Sequence, residues 1–518
     1  MQTSSRPYIS DVDIAGLVCV RASANPDRPV FIDGADGSWV TWHDVVAEAG
    51  KLTEHGRAAD SRRRSVLGLL LSRPTAFCSS YLAALAAGMC VVPLDARSTA
   101  EELSKIVASL ALDTVIVDEV GDDRLDALVS LGVDVLDTNG ARQVGRKDRV
   151  ERHAGAPTRG PAVILATSGT AGRPKFVPLS EEQLLYGAAQ VSRHHQFSEE
   201  DRGYCPLPLF HINGQVVGIL STLVSAGSLV VERRVQRDRL WDTVERTGAT
   251  WLNLVPALLA VAAESSPAQD LSSRVRFARS ASSALPEPVR RRFESVCGVG
   301  VLETYGMTEA AGQITANPLR PELRRPGSAG LPVGIDLRVV GKDGETEAPP
   351  GSMGAVEIRG PSVVRHYLLP GCEPSRLPAR TAAGWLRTGD LGALDADGFL
   401  YLAGRSDDVI NRGGEKVYPR EIEEVLLSDP RVTSAAAVGR PHPTLGAEPV
   451  AFLTTSVDRG SREAIALLAE LGSACATALS RYKRPVELRV TDALPTGATG
   501  KVARQLLSHQ VAGGVGAG

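Results

Sequence analysis

The chain has 518 residues, of which 43% are hydrophobic and 23% are charged, and its formal net charge is −3. This length allows several domains with large cores. The interspersed charges form no basic stripe, so they argue against nucleic acid as a partner and against a polybasic membrane anchor. Seven scattered cysteines contain no Cys-x-x-Cys pair, which favours a reducing, cytoplasmic location over a disulfide framework or a zinc site.

Neither a signal peptide nor a membrane span is expected. Residues 1–6 contain no apolar segment of the kind that signal peptides carry. The longest apolar stretch, 216–231, is interrupted by glycine and serine and is too short to cross a bilayer. It predicts a buried helix followed by a strand.

In the first half of the chain, short apolar runs alternate with longer amphipathic stretches. The runs 66–71, 90–93 and 114–117 predict buried strands, and 74–87 and 100–110 predict the helices between them. Such alternation is typical of βαβ units with mostly parallel sheets, and it predicts an α/β fold.

This pattern changes twice towards the C-terminus. After residue 320, glycine- and proline-rich turns and the alternating run 354–359 predict a small β subdomain with one face in solvent, at about 320–404. Residues 417–508 return to α/β alternation, with helices expected at 419–428 and 461–480 and strands near 434–440 and 449–455. The glycine-rich tail, 511–518, is expected to be disordered.

One segment rich in glycine and hydroxyl groups follows a predicted strand. Residues 166–175 read Ala-Thr-Ser-Gly-Thr-Ala-Gly-Arg-Pro-Lys. Backbone N–H groups, hydroxyls and one ammonium can bind polyphosphate, and glycine lets the backbone approach a ligand closely. No Gly-Lys-Ser/Thr is present, so this is not a Walker A loop. A surface turn is the alternative interpretation of this segment on its own.

The segment resembles the phosphate loop of the adenylate-forming superfamily, which includes acyl-CoA synthetases, adenylation domains of peptide synthetases, and luciferase. Further motifs of that superfamily have counterparts here in the same order and at similar spacing: Tyr-Gly-Met-Thr-Glu at 305–309, Trp-Leu-Arg-Thr-Gly-Asp at 385–390, residues 404–416, and Pro-Thr-Gly-Ala-Thr-Gly-Lys at 495–501. The resemblance covers roughly residues 10–508.

The resemblance implies how the chain is divided. A large N-terminal domain, residues 1–404, would contain two βαβ-type subdomains and the small β subdomain. A hinge at 405–408 would join it to a mobile, smaller α/β domain at 409–510. Homodimers are common in the superfamily, and the sequence neither indicates nor excludes one.

The resemblance also implies a reaction in two halves. A carboxylate attacks the α-phosphate of ATP, giving an acyl-adenylate and pyrophosphate, and the thiol of CoA then displaces AMP. Because the first half brings two anions together, positive charge and Mg²⁺ are expected at the reacting phosphate. ATP, Mg²⁺ and CoA are therefore the expected cofactor and co-substrates.

Matching the motifs position by position assigns roles in the first half-reaction. Lys501 matches the lysine that bridges the carboxylate and the α-phosphate. Thr308 matches a phosphate-contacting hydroxyl, and Glu309 matches the Mg²⁺-binding carboxylate, a ligand type that this hard cation prefers. The alternatives are an exposed lysine for Lys501 and a helix-start pair for Thr308 and Glu309.

The nucleotide and thiol residues follow in the same way. Tyr305 matches an aromatic residue that stacks on adenine, and Asp390 and Arg405 match contacts to the ribose. Asp407 matches the hinge, and the pair Gly413-Gly414 would let the thiol pass close to the backbone; a plain turn is the alternative for that pair. The full set expected to bind nucleotide is Thr167, Ser168, Gly169, Thr170, Gly172, Lys175, Ser282, Glu303, Thr304, Tyr305, Gly306, Asp390, Arg405 and Lys416.

The acid pocket is expected from segments 208–215, 251–258, 280–284 and 304–314. Amino-acid-activating domains usually carry Phe-Asp where this chain has Phe210-His211, so His211 favours the acyl or aryl branch and is a catalytic candidate. A structural histidine is the alternative. The residues expected to line the pocket are His211, Asn213, Gly214, Ser282, Ser283, Gly306 and Gly312.

Residues 308–319 and 325–330 most resemble the oxalate–CoA ligase branch. That branch typically has histidine where this chain has Asn213 and Gly312. Histidines suit a small dianion, and a site without those polar partners loses a polar substrate heavily. We therefore expect a larger, largely apolar monocarboxylic acid, in secondary metabolism such as antibiotic biosynthesis.

Two alternative functions stay open. The enzyme could pass its acyl group to a carrier-protein thiol or to a second enzyme, because the first half-reaction would be the same. A non-catalytic nucleotide-binding homologue is the other; the presence of Lys175, Glu309, Asp390, Arg405 and Lys501 counts against it. An NAD-type Rossmann site is excluded, since no Gly-x-Gly-x-x-Gly follows an early strand.

Overall fold

The structure is a computed structural model that describes residues 12–57, 64–119, 121–138, 142–143, 160–167, 175–265, 267, 273–341, 343–369, 376–497 and 502–512. Of the predicted site residues, Ser168, Gly169, Thr170, Gly172 and Lys501 lie outside the described residues, as does the side chain of Thr167.

The first part of the chain alternates helices and strands as predicted. Its elements are α1 (Ile14–Ala24), β1 (Pro29–Asp33), β2 (Trp39–Thr41), α2 (Trp42–Arg57), β3 (Val66–Leu70), α3 (Pro74–Ala86), β4 (Cys90–Pro93), α4 (Ala100–Leu110), β5 (Thr114–Val117), α5 (Asp122–Ser130), β6 (Asp134–Asp137) and β7 (Arg142–Gln143). Thr99 begins α4 in a capping box with Glu102, so the helix starts where its exposed N–H groups find side-chain oxygens.

The alternation continues through the middle of the chain. The elements there are β8 (Val163–Thr167), β9 (Lys175–Leu179), α6 (Glu181–His195), β10 (Arg202–Cys205), a π-helix (Asn213–Leu220), α7 (Ser221–Ser225), β11 (Ser228–Val231), α8 (Leu240–Thr247), β12 (Trp251–Leu254), α9 (Pro256–Ala262), β13 (Phe277–Ser280), α10 (Glu287–Cys297), β14 (Val301–Met307), β15 (Gly312–Ala316) and β16 (Leu331–Pro332). The helix followed by a strand predicted within 216–231 is confirmed.

Strands dominate the next part, and the chain ends in a second α/β unit. The strands are β17 (Asp336–Val340), β18 (Gly354–Arg359), β19 (His366–Leu368), β20 (Arg376–Pro378), β21 (Leu386–Leu394) and β22 (Leu400–Arg405). The last elements are β23 (Ile410–Arg412), β24 (Glu415–Val417), α11 (Pro419–Leu427), β25 (Val432–His442), β26 (Gly446–Thr455), α12 (Arg462–Ala478), β27 (Glu487–Val490) and α13 (Arg504–Ala512).

Two nine-stranded sheets form the large N-terminal domain. The first has the order β16-β15-β14-β13-β12-β10-β11-β1-β2 and the second β20-β19-β9-β8-β4-β3-β5-β6-β7. From β14 to β1 the first sheet is parallel, as are β8, β4, β3, β5 and β6 of the second. Their central strands are apolar and buried on both faces, as parallel sheets require. The expectation of two βαβ-type subdomains is confirmed.

The small sheets are also as predicted. Strands β17, β18, β21 and β22 form a four-stranded antiparallel sheet, the small β subdomain. Strands β23 to β27 and their helices form the smaller C-terminal domain around a separate core. One boundary needs correction: α13 continues to Ala512, and Val511 is buried, so the helix includes the first two residues of the predicted disordered tail.

The topology brings the predicted acid-pocket segments together. Strands β10, β12, β13 and β14 are neighbours and parallel, so their carboxyl ends share one edge of the sheet. The segments that follow β10, β12 and β13, and the end of β14, supply the predicted pocket residues. Ligands of open α/β sheets bind at such an edge. No helix in the described part of the chain combines the length and apolarity that a membrane crossing needs.

Candidate active site

The residues predicted to bind adenine and ribose lie next to one another. The Tyr305 hydroxyl donates a hydrogen bond to Asp390 Oδ2. Arg405 pairs with Asp390 across β21 and β22 and lies 3.4 Å from its Oδ1. Burial and the Asp390 carboxylate raise the pKa of Tyr305, so the hydroxyl stays a donor. One aromatic ring, one carboxylate and one guanidinium therefore meet where a nucleoside is expected.

The residues predicted to bind Mg²⁺ and phosphate also come together. Lys175 pairs with Thr167 at the ends of β9 and β8, so the predicted phosphate loop connects these two strands. The Lys175 Nζ atom lies 5.3 Å from the ring centroid of Tyr367, and the Tyr367 hydroxyl donates to Glu309 Oε1 at 3.3 Å. Burial raises the pKa of Glu309.

A divalent cation fits this arrangement as a partner of ATP. Among the described residues, no group of three or more His, Cys, Asp or Glu side chains could hold a metal ion. A single carboxylate such as Glu309 suits Mg²⁺, which typically binds one or two protein carboxylates together with substrate phosphates and water. Thr308 begins the 3-10 helix Thr308–Ala310, which also contains Glu309.

Two residues predicted to bind nucleotide, Thr304 and Glu303, form hydrogen bonds within the protein. The Thr304 hydroxyl donates to the Ser280 carbonyl at 3.0 Å, which joins β14 to β13. Glu303 is buried and accepts a hydrogen bond from the Gly327 amide at 3.0 Å. Burial raises the pKa of Glu303 to about 7. Both side chains therefore stabilise the backbone that supports the candidate site.

Three further predicted residues occupy restricted backbone positions. A Cβ at Gly306 would lie 2.0 Å from the Gly312 carbonyl oxygen, so β14 and β15 can approach only with glycine there. Gly312 has φ 104°, and Ser282 has φ 73° although it is not glycine. Such a backbone is unfavourable for serine and is concentrated at functional sites. Ser283, its neighbour, is exposed.

A π-helix carries the next part of the predicted pocket. Asn213 and Gly214 are its first residues, and His211 lies just before it, with its ring centroid 4.2 Å from that of Phe210. The π-helix is rare and occurs frequently at functional sites. Gly214 packs against the backbone of Leu209, with an added Cβ reaching 3.1 Å from its Cα. His211, Asn213 and Gly214 are thus brought to the same edge of the sheet.

The sequence analysis missed a buried arginine beside Asn213. Arg279 lies in β13 with only 2% of its surface exposed. Its Nη1 atom donates to Asn213 Oδ1 and Asn253 Oδ1, both at 3.1 Å, and its Nη2 atom donates to Gln313 Oε1 at 3.1 Å. Burial lowers its pKa to about 9, so it is cationic at neutral pH.

We call Arg279, Asn213, Asn253 and Gln313 the Arg279 cage. Its acceptors are neutral amides, although a buried charge is normally paired with an opposite one. Three of its N–H groups, on Asn213 Nδ2, Gln313 Nε2 and Arg279 Nε, have no acceptor among the described residues. The cage therefore presents more donors than the described protein satisfies. The signal in the sequence is an arginine inside the short strand Phe-Ala-Arg-Ser.

The remaining predicted residues belong to the hinge and the C-terminal domain. Asp407 lies in the exposed 3-10 helix Ser406–Asp408. Gly413 and Gly414 have φ 62° and 92° and form the two-residue turn between β23 and β24, a turn that needs positive φ at both positions. Lys416 is exposed on β24.

Comparison with known proteins identifies the family. The AMP-binding enzyme model matches residues 20–368, and the model of the AMP-binding enzyme C-terminal domain matches residues 421–501. The chain belongs to the AMP-binding enzyme family. The predicted resemblance to adenylate-forming enzymes is thereby confirmed, and the protein is an AMP-forming acid–thiol ligase.

Relatives match over nearly the whole chain. Sulfoacetate–CoA ligase of Cupriavidus necator is 37% identical, over 98% of this chain and 100% of that protein. Oxalate–CoA ligase of Arabidopsis thaliana is 32% identical, over 90% and 92%. Two solved structures are similar in fold: ATP-bound MatB from Rhodopseudomonas palustris (TM-score 0.82, 25% identity, 96% and 99% covered) and the Bacillus subtilis o-succinylbenzoate CoA synthetase with its acyl-adenylate intermediate OSB-AMP (TM-score 0.79, 26% identity, 95% and 97% covered).

Proposed function

We propose that this enzyme is an ATP-dependent acid–CoA ligase whose acid carries a second anionic group, recognised by the Arg279 cage. The observation that supports this most is the buried Arg279 with no carboxylate among its hydrogen-bond partners in the described part of the chain. An anionic acceptor would pair the charge and use the N–H groups of the cage that have no described acceptor. Without such a ligand, hydrogen bonds to three neutral amides only partly offset the cost of desolvating the guanidinium.

Several of the related ligases are named for acids of this class, although another is named for indoleacetate, which has a single carboxyl group. Sulfoacetate, oxalate and succinylbenzoate, the acids in the names of related ligases, each carry a second acidic group besides the carboxylate that is activated. The acid is expected to be larger than oxalate, because Gly312 and Asn213 replace bulkier histidines of the oxalate branch. Among the described residues other than its chain neighbours, Val216 alone lies within 4 Å of a Cβ built at Gly312.

Each proposed step has residues that would perform it. Asp390 and Arg405 would hold the ribose, with Tyr305 against adenine. Thr308, Lys175 and the loop before it would hold the phosphates, and Lys501 would bring the carboxylate to the α-phosphate. Glu309 would hold Mg²⁺, which when bound neutralises charge on the phosphates. His211, Ser282 and Ser283 would line the path of the acid.

A bulky, largely apolar monocarboxylic acid is the second candidate. Gly312 favours it, because glycine at this position leaves space without adding a donor. A role in natural-product biosynthesis would follow from such a substrate. For this acid the Arg279 cage would be structural only, so the two candidates differ in what Arg279 contributes.

The first test is acid-dependent ATP–pyrophosphate exchange across matched pairs of acids, one member with and one without a second acidic group. We expect exchange with a diacid and acyl-CoA when CoA is added. In Arg279→Gln, KM for the diacid should rise about 100-fold, which corresponds to a lost buried charge contact. The exposed Arg274→Gln is the matched control and should change little.

Other outcomes would favour the alternatives. Exchange with apolar acids that Arg279→Gln leaves intact would support the second candidate. Exchange without acyl-CoA would indicate a carrier-protein thiol as the acceptor. No exchange with any acid, together with measurable ATP binding, would contradict catalysis.

A further inference from the structure

Tyr367 contacts two residues that the proposed function assigns to the phosphates and to Mg²⁺. It lies in β19, next to Leu368, which pairs with Phe176 of β9. Its ring faces Lys175, with Nζ 5.3 Å from the centroid, and its hydroxyl donates to Glu309 Oε1 at 3.3 Å. No superfamily motif used in the sequence analysis contains this tyrosine.

The same segment also holds the backbone of Glu309. The Val364 amide donates to the Glu309 carbonyl at 2.8 Å. Residues 364 and 367 therefore fix both the main chain and the carboxyl group of Glu309. The Glu309 side chain has three rotatable bonds. Because these contacts already hold it in one conformation, it loses less conformational entropy when it binds a ligand.

Burial makes this anchoring useful. Glu309 is half-buried, and a carboxyl group that has lost water needs hydrogen-bond donors in its place. The Tyr367 hydroxyl is such a donor and contacts Glu309 Oε1 directly.

We propose that Tyr367 is a positioning residue for adenylation: its hydroxyl orients the Glu309 carboxylate towards Mg²⁺, and its ring supports the Lys175 ammonium. The proposal rests on the proposed function, which assigns Mg²⁺ to Glu309 and phosphate to Lys175. Hydrogen-bond partners of metal ligands typically contribute a factor of 10–100 to metal affinity or activity. A cation over a tyrosine ring at an exposed site contributes about a two- to fivefold factor in affinity.

The two contacts can be removed separately. Tyr367→Phe deletes the hydroxyl and keeps the ring, whereas Tyr367→Leu deletes both. Tyr186→Phe is the matched control, because Tyr186 donates its hydroxyl to the Gly334 carbonyl at 2.7 Å, a contact outside the candidate site. Thermal unfolding of all three variants shows whether each one folds.

ATP binding measured by calorimetry, with and without Mg²⁺ and with no acid present, is the primary readout. For Tyr367→Phe we expect unchanged ATP affinity without Mg²⁺ and about tenfold weaker Mg²⁺ dependence of binding. For Tyr367→Leu we expect an additional loss of about two- to fivefold in ATP affinity without Mg²⁺. The Mg²⁺ concentration for half-maximal pyrophosphate exchange should shift with the binding data.

Two results would overturn the proposal. An unchanged Mg²⁺ dependence in Tyr367→Phe would show that the hydroxyl does not act through Glu309. Equal losses with and without Mg²⁺ would show a structural role only. Failure of the proposed function looks different: the wild-type protein would then show no pyrophosphate exchange with any acid, whatever residue stands at 367.

Discussion

Glu303 is a buried acid that the folded protein protonates more easily than the unfolded chain does. Burial raises its pKa from 4.5 to about 7. Between these values the folded state binds more protons than the unfolded state, so this group lowers stability as the pH rises from 4.5 to 7, and the full loss persists above 7. We expect Glu303→Gln to stabilise the protein by about 1–3 kcal/mol at pH 8.

The sign of the pH dependence tests this explanation. The gain from Glu303→Gln should shrink as the pH falls and be absent near pH 4.5, which chemical denaturation at a series of pH values would measure. Glu345→Gln removes an exposed acid and is the control. A gain that is the same at every pH would mean that packing or hydrogen bonding of the amide, and not ionisation, causes the change.

Motif residues could be predicted from the sequence because neighbours in the chain define them. Tyr305 and Asp390 are 85 residues apart, yet each is recognisable from the residues beside it, and the structure joins them by a hydrogen bond. Arg279 and Tyr367 could not be recognised in this way. Their importance comes from burial and from partners on other elements, such as Asn253 and Glu309, and a single sequence does not contain that information.

At the scale of elements, the antiparallel pair β14–β15 requires glycine at position 306. The pair has a register shift between Tyr305 and Gly306, and an added Cβ at Gly306 would lie 2.0 Å from a backbone carbonyl oxygen. Because backbone cannot move aside as a flexible side chain can, we expect Gly306→Ala to destabilise the protein by about 2–3 kcal/mol. It should also lower adenylation, since Tyr305 lies in β14 and Glu309 lies between the two strands.

Denaturant unfolding and pyrophosphate exchange would measure both effects. Gly50→Ala is the matched control: Gly50 lies within α2, and apart from the helix's own backbone no described residue lies within 4 Å of its added Cβ. That change should stabilise the protein by about 0.5–1 kcal/mol, because alanine loses less backbone entropy in a helix. Equal behaviour of the two variants would contradict the steric explanation at Gly306.

Elements with a clear period were predicted to within one or two residues. The run 66–71 became Val66–Leu70, and the helices at 419–428 and 461–480 became Pro419–Leu427 and Arg462–Ala478. The π-helix Asn213–Leu220 was not distinguished from an α-helix, since both bury the same apolar residues. The order of the strands in each sheet could not be predicted from the sequence, because pairs such as β1 with β11 join residues about 200 positions apart.

At the scale of the whole molecule, polar contacts between described residues join the predicted hinge and the two domains. Arg420 of α11 donates to the Leu402 carbonyl of β22. Arg504 lies 3.6 Å from the hinge residue Asp408 and also pairs with Glu423 of α11. The sequence predicts the hinge from its motif but not these contacts, since the domain arrangement depends on surfaces far apart in the chain. Such polar contacts are compatible with a C-terminal domain that moves.

If the C-terminal domain moves, a residue of this domain can take part in one half-reaction and not in the other. Lys501, which precedes α13 in the sequence, is expected to act where the carboxylate meets the α-phosphate, so Lys501→Ala should slow acid-dependent pyrophosphate exchange by about 100- to 1,000-fold. Thioester formation from chemically prepared acyl-adenylate and CoA should continue, because no phosphate is attacked in that step. Lys501→Arg keeps the charge and should retain part of the exchange. Equal loss of both half-reactions in Lys501→Ala would place the lysine in the shared framework of the site and contradict a role confined to adenylation.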